Sequence, residues 1–240
     1  MHLRCAKIHR DKFPNRSSYP FNLQIFLETE HIDVSAPVNF FVGENGTGKS
    51  TLLKAVTRSC GINIWQGDRR VRYAHSPYEE KFYRVVEVEW TDSAVPGAFF
   101  DSQLFRNFAQ IIDEWAVNDP GVLNYYGGKS LLQQSHGQSL MAYFQARFQI
   151  QGLYVLDEPE TALSPKSQLI LLRLLHEMSA AGHAQFIIAT HSPMLLACPN
   201  ARILSFDAAP IRPVRYEDTD YYRIYKNFMQ NPRHFLSRND

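Results

Sequence analysis

The chain has 240 residues, 45% hydrophobic and 13% aromatic, which supports a sizeable core, excludes disorder and suits one large α/β domain with room for an inserted lobe. A net charge of +1 provides no global basic field for nucleic acid, though it is compatible with a local patch. Cys5, Cys60 and Cys198 are scattered without metal-ligand spacing, and neither a signal core nor a run of roughly 18–20 apolar residues is present, so the expected location is cytoplasmic.

In chain order, residues 3–8 alternate like a strand. A polar turn at 14–18 follows, and residues 21–26 read as a second strand of a small antiparallel layer. The apolar run Val38-Asn39-Phe40-Phe41-Val42 then feeds directly into Gly43-Glu44-Asn45-Gly46-Thr47-Gly48-Lys49-Ser50-Thr51. A glycine-rich loop ending in Gly-Lys-Ser is informative only between a strand and a helix, and Leu52, Leu53 and Val56 continue with helical apolar spacing. The glycines let backbone N–H groups turn inward around phosphate oxygens, and the helix N-terminus adds its dipole. Lys49 is expected to neutralise charge on the outer phosphates and Ser50 to ligate Mg²⁺.

Arg69, Arg70 and Arg72 form a small basic cluster, readable as a solvated turn or as a DNA-facing patch. Residues 84–90 alternate as a half-exposed strand. From 102 to 149 the texture becomes helical, with Leu104, Phe105, Phe108, Ile111, Ile112 and Trp115 forming one stripe and Leu140, Met141, Phe144 and Phe148 another. Breaks fall at 118–121 and 126–128. The expectation is a single domain over 1–240, with a core of about 1–100 and 150–240 and a helical lobe of about 101–150 inserted into it. Within the lobe, Gln134-Ser135-His136-Gly137-Gln138 precedes an amphipathic helix, where a hydroxyl and free N–H groups would make a second anion site. One chain has one terminal-phosphate pocket, so a second grip suggests service to another subunit.

Leu153-Tyr154-Val155-Leu156 has the composition of a strand buried on both faces, and Asp157-Glu158-Pro159 lies at its carboxyl end, where parallel sheets bind ligands. Asp157 would share Mg²⁺ with Ser50, and Glu158 would orient and deprotonate the attacking water. The same residues also make a good strand-to-helix turn. Ser164-Pro165 caps a helix that Gly182 ends, and Phe186-Ile187-Ile188-Ala189 is the next buried strand. Thr190-His191-Ser192-Pro193 follows at the same edge, so His191 either donates to the phosphate or water, or caps a turn. After residues 202–206 the tail, with Tyr216, Tyr221, Tyr222 and Tyr225, is expected to be a helix packed on the core.

Together the phosphate loop, Ser-His-Gly-Gln, Leu-Asp-Glu-Pro-Glu-Thr-Ala-Leu-Ser-Pro and Ala-Thr-His-Ser-Pro resemble ABC-type ATPase heads, and more narrowly the stand-alone bacterial ATPases filed as AAA or ABC family. The resemblance spans residues 38–193 and implies a P-loop NTPase fold: an α/β, mainly parallel sheet with N-terminal antiparallel strands and the helical lobe. It further implies an ATP-dependent head-to-tail dimer in which Ser135, Gly137 and Gln138 contact the phosphate held by the partner's Lys49. Glu158 would be the catalytic base, His191 the switch residue, and residues 162–164 the inter-subunit loop.

Departures from the family pattern are specific. His136 replaces the first glycine of the signature. Gln103 and Asp101 are candidates for the lobe-entry glutamine, and Tyr19 and Phe13 for the adenine-stacking ring. Residues 158–165 lean toward soluble RecF-like, SMC-like and overcoming-lysogenisation-defect heads, without the long coiled coil of the SMC group. The leading expectation is thus a Mg²⁺-dependent ATPase that switches an unknown protein partner, in DNA maintenance or phage defence. The alternatives are the nucleotide-binding subunit of a membrane transporter and a nucleotide-dependent binding module, which Glu158 argues against.

Overall fold

The structure is a computed structural model that describes residues 1–64, 78–102 and 105–236. The expected sites at Arg69, Arg70, Arg72, Gln103 and Leu104, and the side chain of His136, lie outside the described residues.

In chain order the elements are β1 (Leu3–Ile8), α1 (Gln24–Glu28), β2 (His31–Asp33), β3 (Val38–Val42), α2 (Lys49–Ser59), β4 (Val86–Trp90), β5 (Gly97–Asp101), α3 (Phe105–Asn118), α4 (His136–Arg147), β6 (Gly152–Asp157), α5 (Pro165–Ala180), β7 (Ala184–Ala189), α6 (Pro193–Leu196), β8 (Arg202–Ser205), β9 (Arg212–Val214) and α7 (Asp220–Gln230). Among the described residues they form a six-stranded sheet ordered β5-β6-β7-β3-β8-β9 and a three-stranded antiparallel sheet ordered β2-β1-β4. The larger sheet is parallel except for β9, which pairs antiparallel with β8.

Period-two alternation divides the core into two layers, one on each face of the large sheet. Val38, Phe40, Val42, Tyr154, Leu156, Phe186 and Ile188 point into one layer with the aromatics of α3 and α4 and the leucines of α5. Phe41, Leu153, Val155, Ile187 and Ala189 point into the other, against α1, α2 and the small sheet. All six residues of β6 and all six of β7 are buried, as a strand covered on both faces requires.

The segment 21–26 is not a strand. Phe21, Ile25 and Phe26 are all buried in the same layer, and a strand would send the adjacent Ile25 and Phe26 to opposite faces. One short helix, α1, brings both inward, and the antiparallel partners of β1 are β2 and β4 instead. The strand expected over 84–90 begins at Val86, after a 3-10 turn over 79–85. The helices between β5 and β6 break where expected: Asp119 caps a 3-10 turn, which Gly127 ends with φ of 91°. Trp115 is nevertheless exposed, and the buried stripe of α3 runs through Phe105, Ala109 and Ile112.

Candidate active site

β3 delivers residues 43–48 to the carboxyl edge of the parallel sheet, between the ends of β7 and β8. Gly46 and Gly48 have φ of 84° and 103°, where a Cβ is disfavoured. At Gly48 a Cβ would also lie 2.8 Å from the ring of Phe26, so α1 supports the loop from behind. Lys49 is 5% exposed, and its Nζ donates to the carbonyls of Gly43 at 2.6 Å and Glu44 at 2.8 Å. Burial pulls the Lys49 ammonium below the usual lysine range, while the carboxylates of Glu158, Asp207 and Asp157 pull it back up. Asp207, just after β8, accepts from the Glu44 N–H at 2.9 Å and anchors the loop entrance.

A buried cation held by carbonyl oxygens, at the head of an 11-residue helix, is a donor set that fits a phosphate chain. Next to it Ser50 Oγ donates to Asp157 Oδ1 at 2.9 Å. Burial raises the Asp157 carboxyl to about 6, with Lys54 and the Ser50 hydrogen bond opposing that rise. Two adjacent hard oxygen donors fit Mg²⁺, which takes few protein ligands and completes its shell with water and phosphate. Lys54 Nζ lies 3.6 Å from Asp101 Oδ2 and 3.9 Å from Asp157 Oδ2. Asp101 is the register partner of Asp157, so β5 brings a second carboxylate to the same edge.

Glu158 follows with φ of 48° and ψ of 55°, a left-handed conformation rare for a residue with this side chain. Its backbone N–H still donates to Ala189 O at 2.9 Å, continuing the β6–β7 ladder while the side chain turns toward His191. His191 Nε2 lies 3.5 Å from Glu158 Oε1 and makes no hydrogen bond. The His191 N–H donates to Glu160 Oε1 at 2.6 Å, and Ser192 caps α6, so the backbone is fixed on both sides of the ring. Burial first, and then the Lys49 ammonium, hold the His191 imidazole below its usual range, with Glu158 opposing them. His191 Nδ1 lies 2.7 Å from the hydroxyl of Tyr221, which donates to Gly43 O at 2.8 Å.

The structure therefore brings Gly43–Thr51, Asp157, Glu158 and His191 to one sheet edge. Ser135 and Gln138 are elsewhere. They form a reciprocal capping box at the start of α4, and a Cβ on Gly137 would lie 3.2 Å from Ala162 O, in the loop after β6. Among the described residues, no hydrogen bond joins 135–138 to the phosphate loop. Of the two candidate rings, Tyr19 bonds through its hydroxyl to Thr51 on α2, whereas Phe13 packs into the Phe21–Phe82 cluster.

Comparison with known proteins shows what the chain is similar to. AAA-domain family profiles match residues 21–87 and, under the description "AAA domain, putative AbiEii toxin, Type IV TA system", residues 131–197. The manganese transport system ATP-binding protein MntB of Halalkalibacterium halodurans is 26% identical over 162 residues, 61% of this chain and 63% of that protein. Both halves of the chain are similar to ABC/AAA-type ATPases. It spans 30% to 63% of the length of the curated relatives it matches. The chain superposes on the SMC head domain from Thermotoga maritima with a TM-score of 0.50 at 18% identity, covering 90% of this chain and 100% of that one. It superposes on a putative metal-chelate type ABC transporter in an inward-facing conformation with a TM-score of 0.55 at 15% identity, covering 94% and 88%. Among the described residues no helix is long and apolar enough to cross a membrane.

Tyr221, Asp207 and Lys54 were missed as members of the site from sequence. In sequence, Tyr221 groups with the tail's packing aromatics. Only the return of α7 and of the residue after β8 to the loop reveals these roles, since neither sits in a motif.

Proposed function

We infer that the chain binds Mg²⁺–ATP and hydrolyses its terminal phosphoanhydride, acting as one domain over 1–240. The observation that carries this reading is the pairing of Ser50 with Asp157 at 2.9 Å, with Lys49 buried in the adjoining loop and Glu158 next along β6. Lys49 and the loop N–H groups hold the phosphates, Ser50 and Asp157 hold the cation, and Glu158 takes a proton from water. Bound there, Mg²⁺ would neutralise charge developing on the phosphate oxygens.

ATP would also bring two copies together head to tail. The signature residues Ser135, Gly137 and Gln138 are exposed or half-buried and, among the described residues, make no hydrogen bond to the loop of their own chain, which fits residues that complete another chain's site. That dimer would switch a partner. The toxin–antitoxin description of the family profile and the SMC-head likeness favour a soluble partner or DNA. The likeness to MntB and to the metal-chelate transporter favours a membrane complex equally.

ATP binding and turnover test the chemistry. Lys49→Ala should lose ATP binding, and Glu158→Gln should keep it while turnover falls by roughly 10²-fold or more, the size of a lost general base. A wild-type rate in Glu158→Gln would remove the base assignment. Capture with Glu158→Gln and ATP, followed by identification of membrane protein, soluble protein or DNA, separates the two partner readings.

A further inference from the structure

The Tyr221 hydroxyl touches two halves of the site at once. It donates to the Gly43 carbonyl at 2.8 Å and lies 2.7 Å from His191 Nδ1. A phenol has one proton, and Gly43 O can only accept it. The hydroxyl therefore meets His191 as an acceptor, and Nδ1 carries a proton; burial and the Lys49 ammonium favour the neutral ring, so that proton is its only one. Nε2 is then a bare lone pair, buried, without a hydrogen bond, and 3.5 Å from Glu158 Oε1. Two acceptors side by side cannot satisfy each other. A water molecule, with two protons, satisfies both.

We propose that Tyr221 is a positioning residue that holds His191 as the Nδ1–H tautomer, so that Nε2 and Glu158 together accept the two protons of the attacking water. The inference rests on the hydrolase reading and revises the expected role of His191 from donor to acceptor. As the water oxygen bonds to the terminal phosphorus, the bond from phosphorus to the bridging oxygen breaks and ADP leaves with that electron pair. One water proton passes to Glu158, and the other stays on the new phosphate oxygen, hydrogen-bonded to Nε2. Gly43 O also accepts from Lys49 at 2.6 Å, so α7 and the phosphate-loop lysine meet at one carbonyl. No residue of α7 is buried, which makes Tyr221 an anchor of that helix as well.

Tyr221→Phe removes the hydroxyl and keeps a ring edge-on to His191, where the centroids are 5.3 Å apart. The ¹⁵N-histidine NMR spectrum of the nucleotide-free full chain, with His191 assigned from His191→Gln, should show Nδ1–H in the wild type. In Tyr221→Phe it should move toward Nε2–H. In turnover assays kcat should fall about tenfold, the weight of one hydrogen bond, with KM for ATP unchanged. A wild-type Nε2–H tautomer overturns the inference whether or not the variant folds, as does an unchanged kcat in a folded variant. Nδ1–H with no ATP turnover in the wild type overturns the hydrolase reading and the water role with it. Nε2–H with normal turnover overturns only the role of Tyr221.

Discussion

Glu158, the proposed general base, stands on a backbone that a glycine would occupy at less cost. A left-handed conformation costs a residue with a Cβ about 1 kcal/mol, and such strain persists where function requires the side chain. Glu158→Gly should therefore raise the melting temperature by roughly 2–4 °C while abolishing turnover, as calorimetry and an ATPase assay on one sample would show. Asp157 makes a second prediction. Its carboxyl is raised to about 6 from the ordinary 3.8, so between those values the folded protein holds a proton that the unfolded chain releases. This group's contribution to stability thus falls as pH rises through that window and stays low above it. In metal-free protein Asp157→Asn should match the wild type near pH 4 and exceed it by about 1–2 kcal/mol at pH 7.5, read from melts in chelator. Equal stability at both pH values would show that the carboxylate is not strained by burial. The position of both residues at the sheet edge was legible in sequence because they close a buried apolar strand. Tyr221 was not, because 30 residues separate it from His191 and a tyrosine-rich helix has the same local pattern whether it packs or binds.

At the scale of elements, the two sheets are joined by buried amides, Gln185 on β7 and Asn39 on β3, which both donate to Val34 O and Ala36 O. Gln185 on β7 accepts from the N–H groups of His2 and Leu3 and donates to the carbonyls of Leu3, Val34 and Ala36. It thereby pins β1 and the β2–β3 connection to the large sheet. Gln185→Leu keeps the volume and leaves these groups without that partner, so urea unfolding should report a loss of about 3–5 kcal/mol with ATP chemistry intact in the folded fraction. A loss below about 1 kcal/mol would mean that water replaces the amide. The buried strands β3, β6 and β7 were legible because an unbroken apolar run between turn residues has few other uses. β5 was not anticipated: Gly97 and Ala98 give it little strand propensity, and it is a strand through pairing with β6. The misreading of 21–26 has the same origin, since Phe21, Ile25 and Phe26 are placed by the hydrophobic layer behind the loop rather than by period.

For the whole molecule, the placement of α4 distinguishes a site complete in one chain from a site shared between two. Ser135 caps α4 by accepting from the Gln138 N–H at 3.4 Å, and aspartate caps a helix as well as serine does. Ser135→Asp should therefore leave the fold and the ATP affinity of the monomer unchanged. It would place a carboxylate against the terminal phosphate held by a second copy, and like charges at contact oppose association by several kcal/mol. In a Glu158→Gln background, where ATP persists, gel filtration with Mg²⁺–ATP should show a dimer, and adding Ser135→Asp should return it to monomer. Nucleotide affinity measured on the dilute monomer should be the same in both proteins. A dimer that survives Ser135→Asp would mean that copies meet through another face and that 135–138 serve only to cap α4. A monomer in both variants, with ATP bound, would mean that one chain holds nucleotide without a second copy and that the switch works through the exposed α7 or another surface of the chain.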